Sequence, residues 1–320
     1  MTKQYSYGYD LNGNITSFGN GTSNFSAQYD NLNRVTKVTE PNTSNYLQSA
    51  YDDADRRTQL SVVYGSAVWN YDFTYDSSGQ PLKFYDEAYN RSTWYLFDES
   101  GRLIKSYNSN DTAEYYEYDR EGRVTQVRVE KGGEVVEKFR YDYDANDNIV
   151  KIWSDIDSSW IEYTYDSLDQ LLQEKYSNNT TIQYEYDASG NRTKVITNGV
   201  ATVYTYNTEK NRLVSVGGRS YQYDANGNVI SDGNYTYVWG DDNKLQEVKQ
   251  GVNFIASFTY DALGNRTSMT AGGVTKTFHY DGERVSYVTE STGKIYRFAY
   301  DHSGRPVFMS FPREPILVSL

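Results

Sequence analysis

The fold is decided by the stretch Tyr184-Glu185-Tyr186-Asp187-Ala188-Ser189-Gly190-Asn191-Arg192-Thr193-Lys194-Val195. Its two tyrosines stand two residues apart, which is typical of a strand with one buried face, because strand side chains alternate between faces. Asp187 then opens a turn, since its short carboxylate can accept a hydrogen bond from the backbone two residues later. Gly190 closes the turn, where the chain commonly needs a positive φ. The stretch therefore predicts a strand, a tight turn and a second strand.

The same unit recurs along the chain. If the aromatic residue before each turn is taken as the marker, there are fifteen copies, spaced 16 to 25 residues apart. The markers are Tyr9, Tyr29, Tyr51, Tyr75, Phe97, Tyr118, Tyr143, Tyr165, Tyr186, Tyr206, Tyr223, Trp239, Tyr260, Tyr280 and Tyr300. A period near 20 residues predicts a repeat architecture in which stacked units share one core. Since the sequence shows no sustained helical apolar stripe, we expect an all-β chain.

Most copies share the same turn chemistry. Gly follows Asp by three residues in eight copies, and four others place Asn33, Asp55, Asp147 or Asp169 at that point. Asn and Asp are the residues that, after Gly, best tolerate the left-handed conformation. We predict a structural turn motif whose clearest members are Tyr186, Asp187, Gly190, Tyr223, Asp224, Gly227, Tyr260, Asp261 and Gly264.

Composition narrows the class of protein. The 34 tyrosines fall in register and argue for a folded chain, because disordered segments are poor in aromatic residues. The net charge of −12 argues against nucleic acid as a partner, since that partner needs a basic surface. The sequence contains no cysteine and no stretch approaching the length of a membrane-spanning helix. The N-terminus has no apolar signal segment, so we expect any export signal to lie outside this chain.

The residues offer little for catalysis or for binding a cofactor. Only two histidines occur, His279 and His302, and there is no Gly-x-Ser-x-Gly elbow to hold a nucleophile. Most aspartates are explained by the turns, so no carboxylate pair for glycoside hydrolysis stands out. Three turns resemble the start of a calcium loop, but their sixth positions are Ile15, Ile149 and Val229, where an EF-hand loop needs Gly. The sequence predicts no enzyme activity and no catalytic, cofactor-binding or metal-binding residues.

The pattern Tyr-Asp-x-x-Gly-Asn-Arg at this period resembles the YD repeat of the Rhs family. The clearest matches are residues 186–193, 223–229 and 260–267, and the resemblance covers about residues 5–310. Similar repeats occur in bacterial polymorphic toxins, in wall-associated proteins of Gram-positive bacteria, in the cocoon components of insecticidal toxin complexes and in teneurins. The resemblance implies a β-sheet that spirals into a hollow shell, and in the toxins this shell encloses a C-terminal toxic domain. The segment after Phe308 does not resemble the self-cleaving core that commonly ends such shells, so neither self-cleavage nor toxicity is expected of this chain.

Two architectures fit a hairpin repeat. A propeller would combine two hairpins of 20 residues into a blade of about 40 residues. The odd copy number and the uneven spacing favour the spiral, because a solenoid-like sheet tolerates both. We predict one continuous repeat array over residues 1–310, followed by an irregular tail over residues 311–320.

We interpret the chain as a structural shell segment of a bacterial secreted or cell-surface toxin-like protein. Its expected partner is a C-terminal effector or cargo domain of a larger polypeptide. The alternative is a carbohydrate-binding or adhesion module that holds cell-wall or host glycans on rows of aromatic rings. A container would turn its tyrosines inward around a void, whereas a glycan binder would expose aromatic rings in a groove.

Overall fold

The chain folds as a long succession of short strands in the computed structural model, which describes residues 5–19, 24–41, 43–301, 303–310 and 315–316. The strands are β1 (Ser6–Tyr9), β2 (Ile15–Gly19), β3 (Asn24–Tyr29), β4 (Val35–Thr39), β5 (Tyr46–Tyr51), β6 (Arg57–Tyr64), β7 (Ala67–Tyr75), β8 (Pro81–Asp86), β9 (Arg91–Phe97), β10 (Leu103–Asn108), β11 (Thr112–Tyr118), β12 (Val124–Lys131), β13 (Glu134–Tyr143), β14 (Ile149–Ser154), β15 (Trp160–Tyr165), β16 (Leu171–Tyr176), β17 (Thr181–Tyr186), β18 (Arg192–Thr197), β19 (Val200–Tyr206), β20 (Leu213–Val216), β21 (Arg219–Ser220), β22 (Gln222–Tyr223), β23 (Val229–Ser231), β24 (Thr236–Trp239), β25 (Leu245–Gln250), β26 (Asn253–Tyr260), β27 (Arg266–Ala271), β28 (Val274–Asp281), β29 (Arg284–Glu290), β30 (Ile295–Tyr300), β31 (Pro306–Ser310) and β32 (Pro315–Ile316). A single 3₁₀ turn, Glu87–Tyr89, is the only helical element in the described part of the chain.

Consecutive strands pair antiparallel in sequence order, in one sheet of 21 strands and a second of 11 strands. Between the two sheets, the Tyr221 amide donates to the Val214 carbonyl at 2.8 Å, so backbone pairing continues from β20 through Tyr221 towards β23. The predicted all-β spiral of YD-type hairpins is confirmed. The propeller alternative is wrong, because a propeller divides its strands into separate small sheets. His302 and most of the predicted tail lie outside the described residues, but Pro315–Ile316 forms a short strand paired with β31.

Each hairpin whose first strand ends at a marker residue contains a β-bulge that the repeat pattern did not predict. In β17 and β18, Glu185 lies opposite Lys194 while Tyr186 lies opposite Arg192, so Thr193 is the extra residue. The same shift stands before the marker residue in the other hairpins, for example at Tyr75, Tyr165 and Trp239. A bulge re-aims the neighbouring side chain and increases the local twist. It therefore places every marker residue in the same orientation along the sheet.

The ribbon of strands rolls up on itself. The Arg57 guanidinium of β6 contacts the Asp281 carboxylate of β28, and Arg297 of β30 contacts Asp86 of β8. Along a flat sheet, more than 20 strand spacings of about 4.8 Å would hold these residues roughly 100 Å apart. The contacts advance in the same direction along both segments, from Tyr7 with Ala262 to Arg297 with Asp86. The sheet therefore coils as a spiral and does not fold back as a hairpin.

The two faces of the ribbon have different roles. We call inner the face that carries Trp69, Tyr71 and Phe73 in β7, and outer the opposite face. Cross-strand register places the marker tyrosines on the inner face and His279, Tyr287 and Arg297 on the outer face. The outer face of β28–β30 packs on the inner face of β4–β8, so the end of the ribbon lies inside its first turn. The core forms at this overlap; its buried members include Leu47, Val62, Tyr71, Phe84, Tyr95, Tyr287 and Ala299.

A substitution at one turn tests the backbone requirement. Gly190 has φ +80°, and a Cβ there would lie 3.8 Å from Nε2 of Gln170, so space is available but the backbone favours glycine. We expect Gly190→Val to lower the free energy of unfolding by about 1–3 kcal/mol, because a β-branched residue is strained in this region. Gly190→Asn is the matched control, and we expect it to be nearly neutral, since Asn33 occupies the equivalent position with φ 61°. Urea unfolding of both variants measures the difference, and equal stabilities would contradict the backbone explanation.

Candidate functional site

The turn of residues 187–190 holds its own aspartate. The Asp187 carboxylate accepts hydrogen bonds from the backbone amides of Ser189 and Asn191, each at 2.9 Å. The side-chain amide of Asn191 donates to the same carboxylate at 2.9 Å, and these bonds hold the pKa of Asp187 below its ordinary value. The other two turns repeat the arrangement: Asp224 accepts from the Asn228 amide and Asp261 from the Asn265 amide, both at 2.8 Å. Gly227 and Gly264 have φ values of +96° and +87°.

The marker tyrosines connect each repeat to the one before it. The Tyr186 hydroxyl donates to the Leu171 carbonyl at 2.7 Å, and the Tyr223 hydroxyl donates to the Leu213 carbonyl at 2.8 Å. The same bond is made by Tyr29, Tyr51, Tyr75, Tyr118, Tyr143, Tyr165, Tyr206, Tyr280 and Tyr300. Where tryptophan replaces tyrosine, the Trp239 indole donates to the Val229 carbonyl at 2.8 Å. The marker position therefore favours a ring that also carries a donor, although Phe97 occupies it without one.

A second set of contacts runs forward to the next repeat. In several repeats the residue four positions after the turn aspartate reaches the next turn, as Arg123 does with the Asp147 carboxylate at 2.6 Å. Asn148 does the same with Asp169 at 2.7 Å. The Arg123 guanidinium also lies 4.6 Å from the centre of the Tyr143 ring. Sequence reasoning explained Asp147 and Asp169 only as residues that tolerate positive φ. Their recurrence one period after a donor residue was the signal for this second role.

A buried ion pair joins the two turns of the spiral. The Arg297 guanidinium donates to the Tyr71 hydroxyl at 2.7 Å and to both Asp86 oxygens at 3.2 Å. The side chain of Arg297 is 5% exposed and that of Asp86 is fully buried. Burial raises the pKa of the Asp86 carboxyl, against the opposing effect of the nearby guanidinium. Because neither charge reaches water, each depends on the other for compensation.

A polar cluster lies next to this pair. Glu40 accepts a hydrogen bond from the Tyr287 hydroxyl at 2.7 Å, and its same oxygen lies 2.9 Å from Nδ1 of His279. The His279 and Tyr287 rings stack with their centres 4.0 Å apart. Sequence reasoning missed the cluster, although one signal was present. Tyr287 stands at an outward position where earlier repeats carry Lys83 or Lys194, which indicates that this outer face is covered.

The inner face of the middle strands has no second layer over it in the part of the chain that the structure describes, and its side chains are half-buried. There the Glu174 carboxylate accepts from the Tyr184 hydroxyl at 2.5 Å and from the Tyr176 hydroxyl at 2.6 Å. The bond to Glu174 and burial raise the pKa of Tyr176 to about 12. Tyr163, opposite Glu174 on the neighbouring strand, is half-buried. This face presents half-exposed tyrosine rings around a carboxylate that the hydroxyls already bind.

The described residues hold no cluster of three or more His, Asp or Glu side chains that could bind a metal ion. Nor does the described part of the chain include a helix long and apolar enough to cross a membrane. The predicted turn residues lie in three separate turns, with the turns after Tyr206 and Trp239 between them, and do not converge on a shared centre.

A rolled antiparallel ribbon, held together repeat by repeat through tyrosine and arginine side chains, defines a repeat-built β-shell. The family model of the teneurin YD-shell matches residues 153–310. The tRNA nuclease WapA of Bacillus subtilis strain 168 is 32% identical over 263 residues, which is 79% of this chain and 11% of that protein. The tRNA(Glu)-specific nuclease WapA of Bacillus subtilis subsp. natto is 32% identical over 246 residues, or 75% of this chain and 10% of that protein. The chain belongs to the YD-repeat (Rhs) family, and it spans about a tenth of the length of the curated relatives it matches.

Solved structures share the fold. The Tc holotoxin pore of Photorhabdus luminescens covers 92% of this chain with a TM-score of 0.52 at 15% identity, and the chain covers 22% of it. The TcdB2–TccC3 complex without its hypervariable C-terminal region covers 92% of this chain with a TM-score of 0.52 at 17% identity, and the chain covers 21% of it. At these identities the likeness supports the fold and nothing finer.

The buried ion pair gives a stability prediction. We expect Arg297→Ala to lower the free energy of unfolding by about 3–5 kcal/mol, because it leaves Asp86 buried without a counter-charge. Arg140→Ala is the control: Arg140 is 46% exposed and pairs with Asp155 at 2.8 Å, so we expect a loss of about 0–1 kcal/mol. Urea unfolding measures both. Similar losses would show that the overlap of the two turns contributes little to stability.

The turn aspartates give a pH prediction. Hydrogen bonds from the residue four positions later, through its backbone amide and side chain, lower the pKa of Asp52, Asp98 and Asp187. A carboxyl whose folded pKa is lowered stabilises the fold above its unfolded pKa of about 3.9, and this contribution is lost as the pH falls through the folded value. We expect the thermal midpoint to fall between pH 5 and pH 2, with a smaller change in Asp187→Asn. A constant midpoint over this range would contradict the assignment.

Proposed function

We propose that this chain is a structural segment of a protein shell in a bacterial secreted or cell-surface toxin-like protein. The shell encloses or presents a C-terminal effector domain that is not part of this chain. The chain itself carries no active site, binds no nucleic acid and needs no cofactor. Its inner face is the surface that meets the effector.

The observation that carries this proposal is how the motif side chains are used. Tyrosine hydroxyls, turn carboxylates and arginine guanidinium groups bind the sheet's own backbone or neighbouring repeats, as Tyr186, Asp187 and Arg123 do. A catalytic group needs to be available to a substrate, and these groups are engaged. What the middle strands leave available is a face of half-exposed rings such as Tyr163 and Tyr184.

The relatives are consistent with this division of roles. Two of them are named as tRNA nucleases, and this chain corresponds to about a tenth of their length. An acidic segment with a net charge of −12 is poorly suited to hold tRNA. We therefore assign nuclease activity, where a full-length protein has it, to a part outside this segment.

Glycan binding is the second candidate, and an outer-face feature favours it. Trp153 and Trp160 lie directly opposite each other on β14 and β15. The Lys151 ammonium lies 3.8 Å from the centre of the Trp153 ring and 4.6 Å from that of Trp160. Aromatic rings on a solvated face offer stacking surfaces for sugars, although packing among neighbouring strands also accounts for them.

One strand offers a matched test of the two functions. Tyr163 and Trp160 both belong to β15 but lie on its inner and outer face, respectively. We expect the chain to bind an unfolded polypeptide, for example reduced carboxymethylated α-lactalbumin, and Tyr163→Ser to weaken that binding several-fold because it removes an inner ring. Trp160→Ser should leave it unchanged. Fluorescence anisotropy measures the affinity, and the chain should leave tRNA intact in a parallel incubation.

The opposite pattern would contradict the proposal that this chain is part of a shell that holds an effector. If Trp160→Ser abolishes binding to a glycan array while Tyr163→Ser has no effect on any ligand, the outer face is the binding surface. Cleavage of tRNA by the purified chain would contradict the assignment of a purely structural role.

A further inference from the structure

A cavity of about 640 Å³ lies between the two turns of the spiral. One wall is formed by β2–β4, whose inner face contributes mainly apolar side chains. The opposite wall is formed by β26–β28, whose outer face contributes hydroxyl groups. Lining residues include Phe18, Phe25, Ala27 and Val38 on the first wall and Thr259, Thr267 and Thr277 on the second.

The mismatch between the walls explains why the cavity exists. Where Tyr287 covers β6 and β7, its fully buried ring packs edge-on against Tyr64 and Trp69, with ring centres 5.5 and 5.6 Å apart. Opposite Phe18 and Phe25, the covering strands carry threonines, whose short polar side chains do not fill the space between the layers. The Phe18 and Phe25 rings stack with centres 4.8 Å apart and form a flat apolar surface. Cavities of this size with few polar groups are the usual form of small-molecule sites.

The charge of the wall restricts what can enter. Among the described residues, the lining includes Glu40 and Asp261 but no lysine and no arginine. The Asp261 carboxylate is engaged in its own turn, where it accepts from the amides of Leu263 and Asn265. Glu40 is 7% exposed; its Oε1 faces His279 and Tyr287, while the one bond that its Oε2 accepts from the described residues is a long one of 3.4 Å from Asn45. Oε2 of Glu40 can therefore accept another hydrogen bond from a donor in the cavity.

We propose that this cavity is a binding site for a small apolar molecule that has a ring system and one protonated amino group. The ring lies against Phe18 and Phe25, and the ammonium group donates to Glu40. Stacked aromatic rings also attract a cation, which adds to the effect of the carboxylate. The site is independent of the proposed shell function, because it lies within the overlap of the two turns and not on the uncovered inner face.

A matched pair of fluorescent probes tests this assignment. Dansylcadaverine carries the ring and an ammonium group, whereas dansylglycine carries the same ring and a carboxylate. We expect a saturable rise in dansyl fluorescence with dansylcadaverine, and at least ten-fold weaker binding of dansylglycine. Glu40→Gln should reduce this difference to less than about three-fold while the ring still binds, because it removes the charge and retains the shape.

Two further variants locate the binding. Ala27→Trp fills the cavity from its apolar wall and should abolish binding of both probes, and Ala27→Leu is a smaller change that should weaken it. Ala50→Trp is the control, since Ala50 is exposed on the outer face of β5. Circular dichroism shows which variants fold. Because Glu40→Gln tests charge and not volume, the proposal remains testable if Ala27→Trp does not fold.

The neighbouring cavity provides the contrast. It measures about 540 Å³ and is lined by Lys37, Arg57 and Arg284 as well as by Asp281, Glu283 and Asp301, so its wall carries charges of both signs. The proposal is supported if dansylcadaverine binds saturably, if Ala27→Trp or Ala27→Leu weakens that binding, and if Ala50→Trp leaves it unchanged. Absence of saturable binding to the parent chain, equal affinity for the two probes, or binding unaffected by both Ala27 variants overturns it.

Discussion

The hydrogen bond from a marker hydroxyl to a carbonyl of the preceding repeat is the contact on which the ribbon depends. Tyr186 to Leu171 is one example, and Trp239 makes the equivalent bond with an indole. Side chains along a strand alternate with period two, so a slip of one residue would move an entire apolar set to the other face. The bulge before the marker residue and the hydroxyl bond behind it make such a slip costly, because both would be lost together. The register of each hairpin is therefore set by its predecessor.

Because the ribbon rolls up, part of the apolar face that the repeats create is covered. Each repeat carries an apolar inner face, and a single-layered sheet leaves that face in contact with water. The last strands cover part of it, and their outer face carries the buried side chains Tyr287, at a position where earlier repeats have lysine, and Ala299. The overlap also buries Arg297 and Asp86, and a buried pair of this kind is better suited to fix which strands meet than to add net stability. Here it joins β8 to β30 at one defined position.

The side chains that hold the fold together and the side chains that remain available to a partner lie in different parts of the structure. In the turns, Asp187 and Asp261 each accept a hydrogen bond from the amide of the residue four positions later. On the uncovered inner face, by contrast, the Tyr163 and Tyr184 rings remain half-exposed. The cavity beside Glu40 arises where the two layers do not match. A protein built from one repeated hairpin thus obtains its distinct surfaces from where the ribbon is covered, and not from a change in the motif itself.

The sequence by itself determined the hairpin repeat, the all-β class and the family, because turns and alternating strands depend on residues that are close along the chain. Gly190 and Asp187 could be assigned to a turn without any distant neighbour. The second role of Asp147 and Asp169 was visible only as a recurrence one period after a donor. Glu40 and His279 are more than 200 residues apart, and only the tertiary structure could bring them together, because the amount by which the ribbon curls decides which strands overlap. Local patterns encode each repeat, whereas the small rotations that accumulate over many strands decide where the spiral closes.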